Sequence, residues 1–578
     1  AGVYTIAALL DDALREIGGY DAVVLWHAYP NIGFDDRNQF DYYRDLPGGL
    51  AGLAEVVRQF HAADVRVFLA YNPWDTGTRR EPHPDHEVLV ALVHELDADG
   101  IFLDTMRQGA PAFRAALDAA KPGVVLEAEG MPPIEQIGSH HMSWAQWFRD
   151  STAPGVLQHK WLERRHMQHQ IRRWDRDHSD ELHSAWMNGS GIVVWENVFG
   201  SWNGWNARDR SILRQMLPIQ RRYTRLFSHG DWTPLVSTAG AGTYASLWEL
   251  PGTRLWTLVN RATEAVEGTL LRLPAVLGQR YFDLIGGAEI IAEERDGVVA
   301  LSGSIRPRGV GALLAVDGSA VTDELIAFLA RQARLDAQIS DDTTFPARPE
   351  TLRPIRRTTR RRRADLPAGM LPLDGRSVDL EITFRVRECG MYWGAPFVDV
   401  WRPWHPELHG VGHARRSATL SAFAVDPREV TNAEFQRFLE ASGYQPRFRE
   451  RFLDHWHDGK PSEGSADDPV VYVDLDDARA YSRWAGKRLP TEDEWQYAVE
   501  THGIGDGLRR VWNWTESERG DGRTRFCVLK GGSDYEAQGS EWYADGGPRP
   551  PQWSAKFLLM WPGLDRCATI GFRCVVDL

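Results

Sequence analysis

Over residues 1 to about 225, short apolar runs alternate with amphipathic stretches at a spacing of about 25 to 45 residues, and that rhythm admits few folds. The apolar runs are Ala22–Tyr29, Val65–Tyr71, Gly100–Thr105, Val124–Glu129, Met142–Trp147, Leu182–Trp186 and Ile192–Glu196. Between them, Ala7–Ile17, Leu50–Ala62, Asp85–Leu96 and Pro111–Ala120 carry helical periodicity. Strands that read as nearly continuous apolar runs are covered on both faces, which predicts a parallel sheet wrapped by helices, a TIM-type (β/α) barrel. Seven strands are one short of closure. The missing one is the first: either Gly2–Thr5 is its remnant, or it lies upstream. On that count Asp104 ends strand 4, Glu129 strand 5 and Glu196 strand 8, all at the strand ends where such barrels build their sites.

A buried strand gains nothing by ending on a carboxylate unless that group meets water, a partner or a ligand. Gly100–Thr105 ends on Asp104, and Val124–Glu129 repeats the device with Glu127 and Glu129 on one face. Glu129 is nearer the rim and is followed by Gly130, so it is the favoured acid/base, with Glu127 in reserve. Asp104 is the leading candidate nucleophile. Glycoside hydrolysis needs this pairing: one carboxylate attacks the anomeric carbon while a second protonates the leaving oxygen. The plainer alternative is that these acids pair with Arg107 or Arg149 across the barrel mouth. Other strand ends offer stacking faces and hydroxyl partners: Trp26, His27, Asn72, Trp74, Asp75, Trp144, Trp147, Trp186, Asn188, Trp195, Glu196 and Asn197.

Composition narrows the ligand. The 578 residues include 24 tryptophans, and indole faces stack on sugar rings, although most of these tryptophans are expected in cores. A net charge of −14 argues against nucleic acid, and no apolar run is long enough for a membrane helix. The expected partner is therefore a carbohydrate: an oligosaccharide, polysaccharide or glycoconjugate. Oligomeric state is not readable. The four cysteines, Cys389, Cys527, Cys567 and Cys574, show no zinc-type spacing, so neither metal nor cofactor is expected, and a disulfide stays open. The chain opens at Ala1 without a signal-like segment. That leaves compartment open, with secretion or periplasmic export implied if a leader was removed.

The expected domains are a catalytic barrel over 1–227, a small antiparallel β-sandwich over 228–318, a helix and basic, Pro-rich linker over 319–370, and a final domain over 371–578. The run Arg360–Arg363 reads as a solvated strap.

Two resemblances add to this reading. Trp26–Pro30, Tyr71–Asp75, Gly100–Thr105, Leu126–Gly130 and Trp195–Asn197, followed by a sandwich, resemble the retaining barrels of the alpha-amylase and alpha-galactosidase type. The endo-alpha-N-acetylgalactosaminidase barrel is similar. The resemblance implies a retaining mechanism on an α-linked glycoside, with Asp104 as nucleophile and Glu129 as acid/base. Two family marks are missing: the Asn-His-Asp after strand 7, and an Arg two residues before the nucleophile, where Phe102 stands.

In the last third, Glu429–Phe435, Ser442–Tyr444, Pro469–Val473, Arg488–Ala498, Val511–Thr515, Lys530–Ser533 and Gly571–Cys574 resemble the formylglycine-generating enzyme (sulfatase-modifying factor) family. That implies a C-type-lectin-like fold. The family's copper-binding cysteines are absent from Gly531–Tyr543, so the domain is expected to be non-catalytic. A related branch binds iron through histidines, and His405, His409 and His413 would align on one helix face. Pro406 and Gly410 interrupt that helix. The alternatives to a glycosidase are therefore a carbohydrate-binding or scaffold protein with an inactive barrel, or a non-haem iron or copper oxygenase in the C-terminal domain.

Overall fold

The computed structural model describes residues 3–27, 31–73, 79–145, 150–172, 177–195, 197–198, 201–202, 204–346, 351–385, 410–504, 510–522, 524–538 and 546–578. Trp74, Asp75, Trp147, Glu196, Arg149, His405, His409 and Cys389 lie outside them, as does the side chain of Asn197.

The chain is a multidomain α/β plus β protein. Helix α1 (Ile6–Ile17) leads into β1 (Ala22–Leu25), followed by α2 (Gln39–Arg44), α3 (Gly49–Ala62), β2 (Arg66–Tyr71), α4 (Asp85–Leu96), β3 (Gly100–Leu103), α5 (Pro111–Ala120), β4 (Val125–Ala128), β5 (Met142–Ala145), α6 (Gln158–Leu162), β6 (Met167–Gln170) and α7 (Ser179–Met187). The six strands form a parallel sheet in chain order, and a parallel bridge from Gln170 to Ile192 extends it by one more run.

Three expectations need correction. Leu182–Trp186 is not a strand but part of α7, which carries Asp180 and Glu181 in its first turn and is buried along its length. A short apolar run buried all round has no periodicity to separate helix from strand. The strand in its place is β6, Met-Gln-His-Gln, whose polar letters hide it because His169 faces a carboxylate inside the barrel. Residues 3–5 run straight into α1 without a strand, which removes Gly2–Thr5 as the remnant of the first strand and leaves the other alternative untouched; among the described residues Asp104 follows the third strand and Glu129 the fourth.

Aromatic side chains meet across the barrel interior. Trp26, Phe102, Trp144 and Trp195 form a ring of contacts, with centroids 5.1 Å (Trp26–Phe102), 4.3 Å (Phe102–Trp144), 5.5 Å (Trp144–Trp195) and 5.1 Å (Trp195–Trp26) apart. Such edge and offset contacts add to the burial of large apolar rings.

After a short hairpin, β7 (Asn197–Val198) and β8 (Ser201–Trp202), helices α8 (Ala207–Arg222) and α9 (Thr224–His229) lead into nine strands: β9 (Asp231–Val236), β10 (Thr243–Leu250), β11 (Thr253–Asn260), β12 (Val266–Pro274), β13 (Gln279–Asp283), β14 (Ala288–Ile290), β15 (Glu293–Arg295), β16 (Val298–Ile305) and β17 (Val310–Asp317). They form antiparallel sheets of order β14-β13-β17-β11-β10-β9 and β12-β16-β15 around an apolar core. The outer face of the larger sheet packs on α7–α9 and on α10 (Asp323–Asp336), in a core holding Trp186, Trp205, Trp232 and Trp248.

The remainder comprises β18 (Thr351–Leu352), β19 (Leu371–Leu373), β20 (Arg376–Arg385), β21 (Val411–Leu420), β22 (Phe423–Val425), α11 (Asn432–Ser442), α12 (Leu475–Trp484), α13 (Glu492–His502), β23 (Trp512–Asn513), β24 (Glu518–Gly520), β25 (Arg525–Lys530), β26 (Ser554–Leu558), α14 (Pro562–Asp565), β27 (Ile570–Gly571) and β28 (Val575–Asp577). The basic strap is laced to this part: β18 pairs with β24, Arg357 bonds Glu494 and Asp577, and the Arg361 N–H donates to the Asp577 carbonyl.

The barrel and the C-terminal part share a core. Phe34, from the loop after β1, is buried among C-terminal residues, 5.6 Å from the Trp512 ring and 4.9 Å from Phe557. The Asn31 side chain bonds both backbone groups of Leu558, at 2.8 and 3.1 Å, as an extra strand edge would. Arg37, buried, donates to the carbonyls of Gly563 and Leu564 and is neutralised by Asp35 and Asp45. A buried guanidinium is tolerable only with such saturation.

Candidate active site

Side-chain alternation along the parallel strands stacks the barrel interior in layers. Phe102 and Glu127 are paired in register, as are Trp144 and His169 on β5 and β6; Asp104 and Glu129 lie two residues beyond the first pair, at the strand ends. Both rim acids are buried, Asp104 at 6% and Glu129 at 5% exposure. The Glu129 carboxylate accepts the Thr105 N–H at 2.6 Å, which holds it against the turn that follows Asp104. That turn is strained: Thr105 has φ 58, a left-handed conformation that a β-branched residue rarely adopts. Such strain persists only where the surroundings over-determine it, and it concentrates at functional sites.

Glu127 is engaged differently. Its Oε1 accepts the Trp144 indole N–H at 3.1 Å and lies 2.6 Å from His169 Nδ1. His27 and Asn72 meet at the ends of β1 and β2, with Asn72 Nδ2 3.3 Å from His27 Nε2. Gln39 brackets the Asn72 backbone, accepting its N–H at 2.9 Å and donating to its carbonyl at 2.8 Å. Burial drives the His27 pKa down to about 3, so this imidazole is neutral at ordinary pH. Asn72 Oδ1 is buried and has no hydrogen-bond partner among the described residues.

Trp26, Trp144 and Trp195 thus come together with His27 and Glu127 around one cavity, while Asn72 meets His27 and Glu129 is tied to the turn after Asp104. Trp186 and Asn188 do not. The Trp186 indole donates to the Gly311 carbonyl at 2.9 Å, and Asn188 ties Leu157, Gly155 and Ser184. Trp186 holds the seam between barrel and sandwich and Asn188 fastens residues 155–157 to α7, because both sit at the end of a helix rather than a strand. The Arg107 guanidinium donates to the Met131 carbonyl.

A cavity of about 900 Å³ opens along the unpaired seam between β1 and residues 192–195, and Trp26, His27, Glu127, Trp144, His169 and Trp195 line it. Leu558 and Met560 of the C-terminal part reach the same cavity. Sequence reasoning missed His169 and the 31–37 loop. A histidine among glutamines carries no strand signal, and a loop residue such as Phe34 shows its core role only once its partner domain is in place.

In the C-terminal part, motif residues do structural work. Thr431 with Glu434, and Thr491 with Glu494, are reciprocal capping boxes for α11 and α13. Arg488 is buried between Glu494 and Asp577, and Arg573 bonds Glu429 and Asn513. His413 lies on β21 with its ring on Thr383, so it is not helical. Cys527, Cys567 and Cys574 are buried free thiols.

Residues 404–508 match the family model of the sulfatase-modifying factor enzyme 1-like domain. The formylglycine-generating enzyme of Streptomyces coelicolor is 33% identical over 147 residues, which cover 19% of this chain and 45% of that protein. Hercynine oxygenase of Mycolicibacterium smegmatis is 30% identical over 193 residues, covering 27% and 43% respectively. The chain thus spans about half the length of the curated relatives it matches, or less. An alpha-amylase from Geobacillus thermoleovorans, solved with acarbose, superposes on 54% of this chain and 91% of its own, with a TM-score of 0.39 and 13% identity. Among the described residues, no helix is long and apolar enough to cross a membrane.

Proposed function

We propose that this chain is a retaining glycoside hydrolase acting on an α-linked carbohydrate, with Asp104 as nucleophile and Glu129 as acid/base. One observation carries the reading: two buried carboxylates end adjacent parallel strands, and the Glu129 carboxylate is bonded to the backbone N–H that immediately follows Asp104. The aromatic ring of Trp26, Trp144 and Trp195 supports it by offering apolar faces for sugar rings, and Asn72 Oδ1 offers a buried acceptor for a hydroxyl. In this mechanism Asp104 attacks the anomeric carbon while Glu129 protonates the leaving oxygen; Glu129 then takes a proton from water as the glycosyl–enzyme bond is hydrolysed. The C-terminal part acts as a wall of the site through Leu558 and Met560.

Hydrolysis of a panel of aryl α- and β-glycosides by wild type and Asp104→Asn tests this. Activity in the wild type that vanishes in a folded Asp104→Asn supports it. Undiminished activity in the variant refutes it, and sugar binding without turnover in both proteins would favour a binding protein with an inert barrel.

A further inference from the structure

We propose that His169 is a proton-transfer residue of the barrel cavity, with Glu127 as its positioning residue. This rests on the reading that the barrel holds a hydroxylated ligand, and it assigns His169 a role separate from that of Asp104 and Glu129. Glu127 is almost wholly buried, and its Oε1 draws both the Trp144 indole N–H and the His169 ring onto one oxygen. A carboxylate in that position accepts a hydrogen bond from Nδ1–H, which fixes the tautomer and leaves the lone pair on Nε2. No described residue bonds Nε2, and His169 lines the cavity together with Trp26, Trp144 and Trp195. The opposite wall at this ring edge is Gly191. A methyl group there would stand 2.7 Å from Cδ2 and 3.0 Å from Nε2, so the glycine keeps the edge bare.

The arrangement has the elements of a general base: a carboxylate, an imidazole oriented by it, and a space for the reacting group. A ligand hydroxyl at Nε2 gives its proton to the ring, the O–H electron pair stays on that oxygen, and the new N–H makes an imidazolium balanced by Glu127; the reverse transfer returns the proton to the same oxygen, while the leaving oxygen and the attacking water exchange their protons with Glu129.

Two measurements on the full chain decide the proposal. Diethyl pyrocarbonate modifies accessible imidazole, and peptide mass spectrometry reads each histidine. His169 is expected to react at least about tenfold faster than the buried His166 and His183, which react only through local opening. Gly191→Ala should remove that advantage. Protection of His169 at the level of His166, or an advantage that survives Gly191→Ala, overturns the proposal.

On any aryl glycoside the wild type cleaves, His169→Gln should lower kcat by about 10²-fold or more and remove one limb of its pH profile, with KM little changed. An unchanged kcat and profile overturn the proposal and leave Asp104 and Glu129 standing. Loss of activity in His169→Gln alongside full activity in Asp104→Asn upholds it and removes the nucleophile reading instead.

Discussion

Phe34→Ala tests the shared core between the barrel and the C-terminal part. The Phe34 ring belongs to a barrel loop but is 2% exposed, within a cluster that includes Trp512, Phe557 and Ile570. Removing a buried phenyl ring costs about 3–5 kcal/mol, from lost transfer energy and the cavity left behind. A unit of 150–250 residues moves its Tm by about 2–4 °C per kcal/mol, so its transition should fall by about 6–20 °C. Differential scanning calorimetry reads this directly, with Leu277→Ala as control. Leu277 is fully exposed, and its loss should cost less than about 0.5 kcal/mol. A Phe34→Ala transition within a degree of wild type would show that Phe34 does not complete the C-terminal core, and the composite site would lose its basis.

Burial pushes the Asp565 carboxyl pKa up to about 7, so the folded state holds a proton that the unfolded chain releases near pH 4. Its contribution to stability is present below pH 4 and is lost as pH rises towards 7; Asp565→Asn should flatten that part of the Tm–pH curve. Burial likewise raises the Cys527 and Cys567 thiols to about 12 and 11, so maleimide labelling followed by peptide mapping should find them unlabelled in the native protein and labelled in guanidinium. Arg488→Met leaves Glu494 and Asp577 without their buried partner and should cost about 3–5 kcal/mol in guanidinium unfolding. Thr105→Gly relieves the left-handed strain and should hold or slightly raise Tm, while loosening the turn that Glu129 clamps.

The local code was legible wherever a residue's role is set by its neighbours in sequence. Helices α1, α3, α4 and α5 follow their periodicity, and the apolar strands of the sheet announce themselves because both faces are covered. The acids at the ends of Gly100–Thr105 and Val124–Glu129 stand out for the same reason: a carboxylate closing a buried run is costly. The capping residues Thr431, Glu434, Thr491 and Glu494 act within a single turn, and their spacing is visible as letters.

What only the tertiary structure decided depends on partners far apart in the chain. The apolar string of α7 looks identical as helix or strand until it is packed against the sandwich, which moves Trp186 and Asn188 away from the barrel rim. His169 becomes chemically distinct only because Glu127, 42 residues earlier, lies across from it. Phe34 and Asn31 acquire their partners more than 450 residues later. Sequence patterns report what a segment buries; they carry no address for the surface it is buried against, and the site is assembled from those addresses.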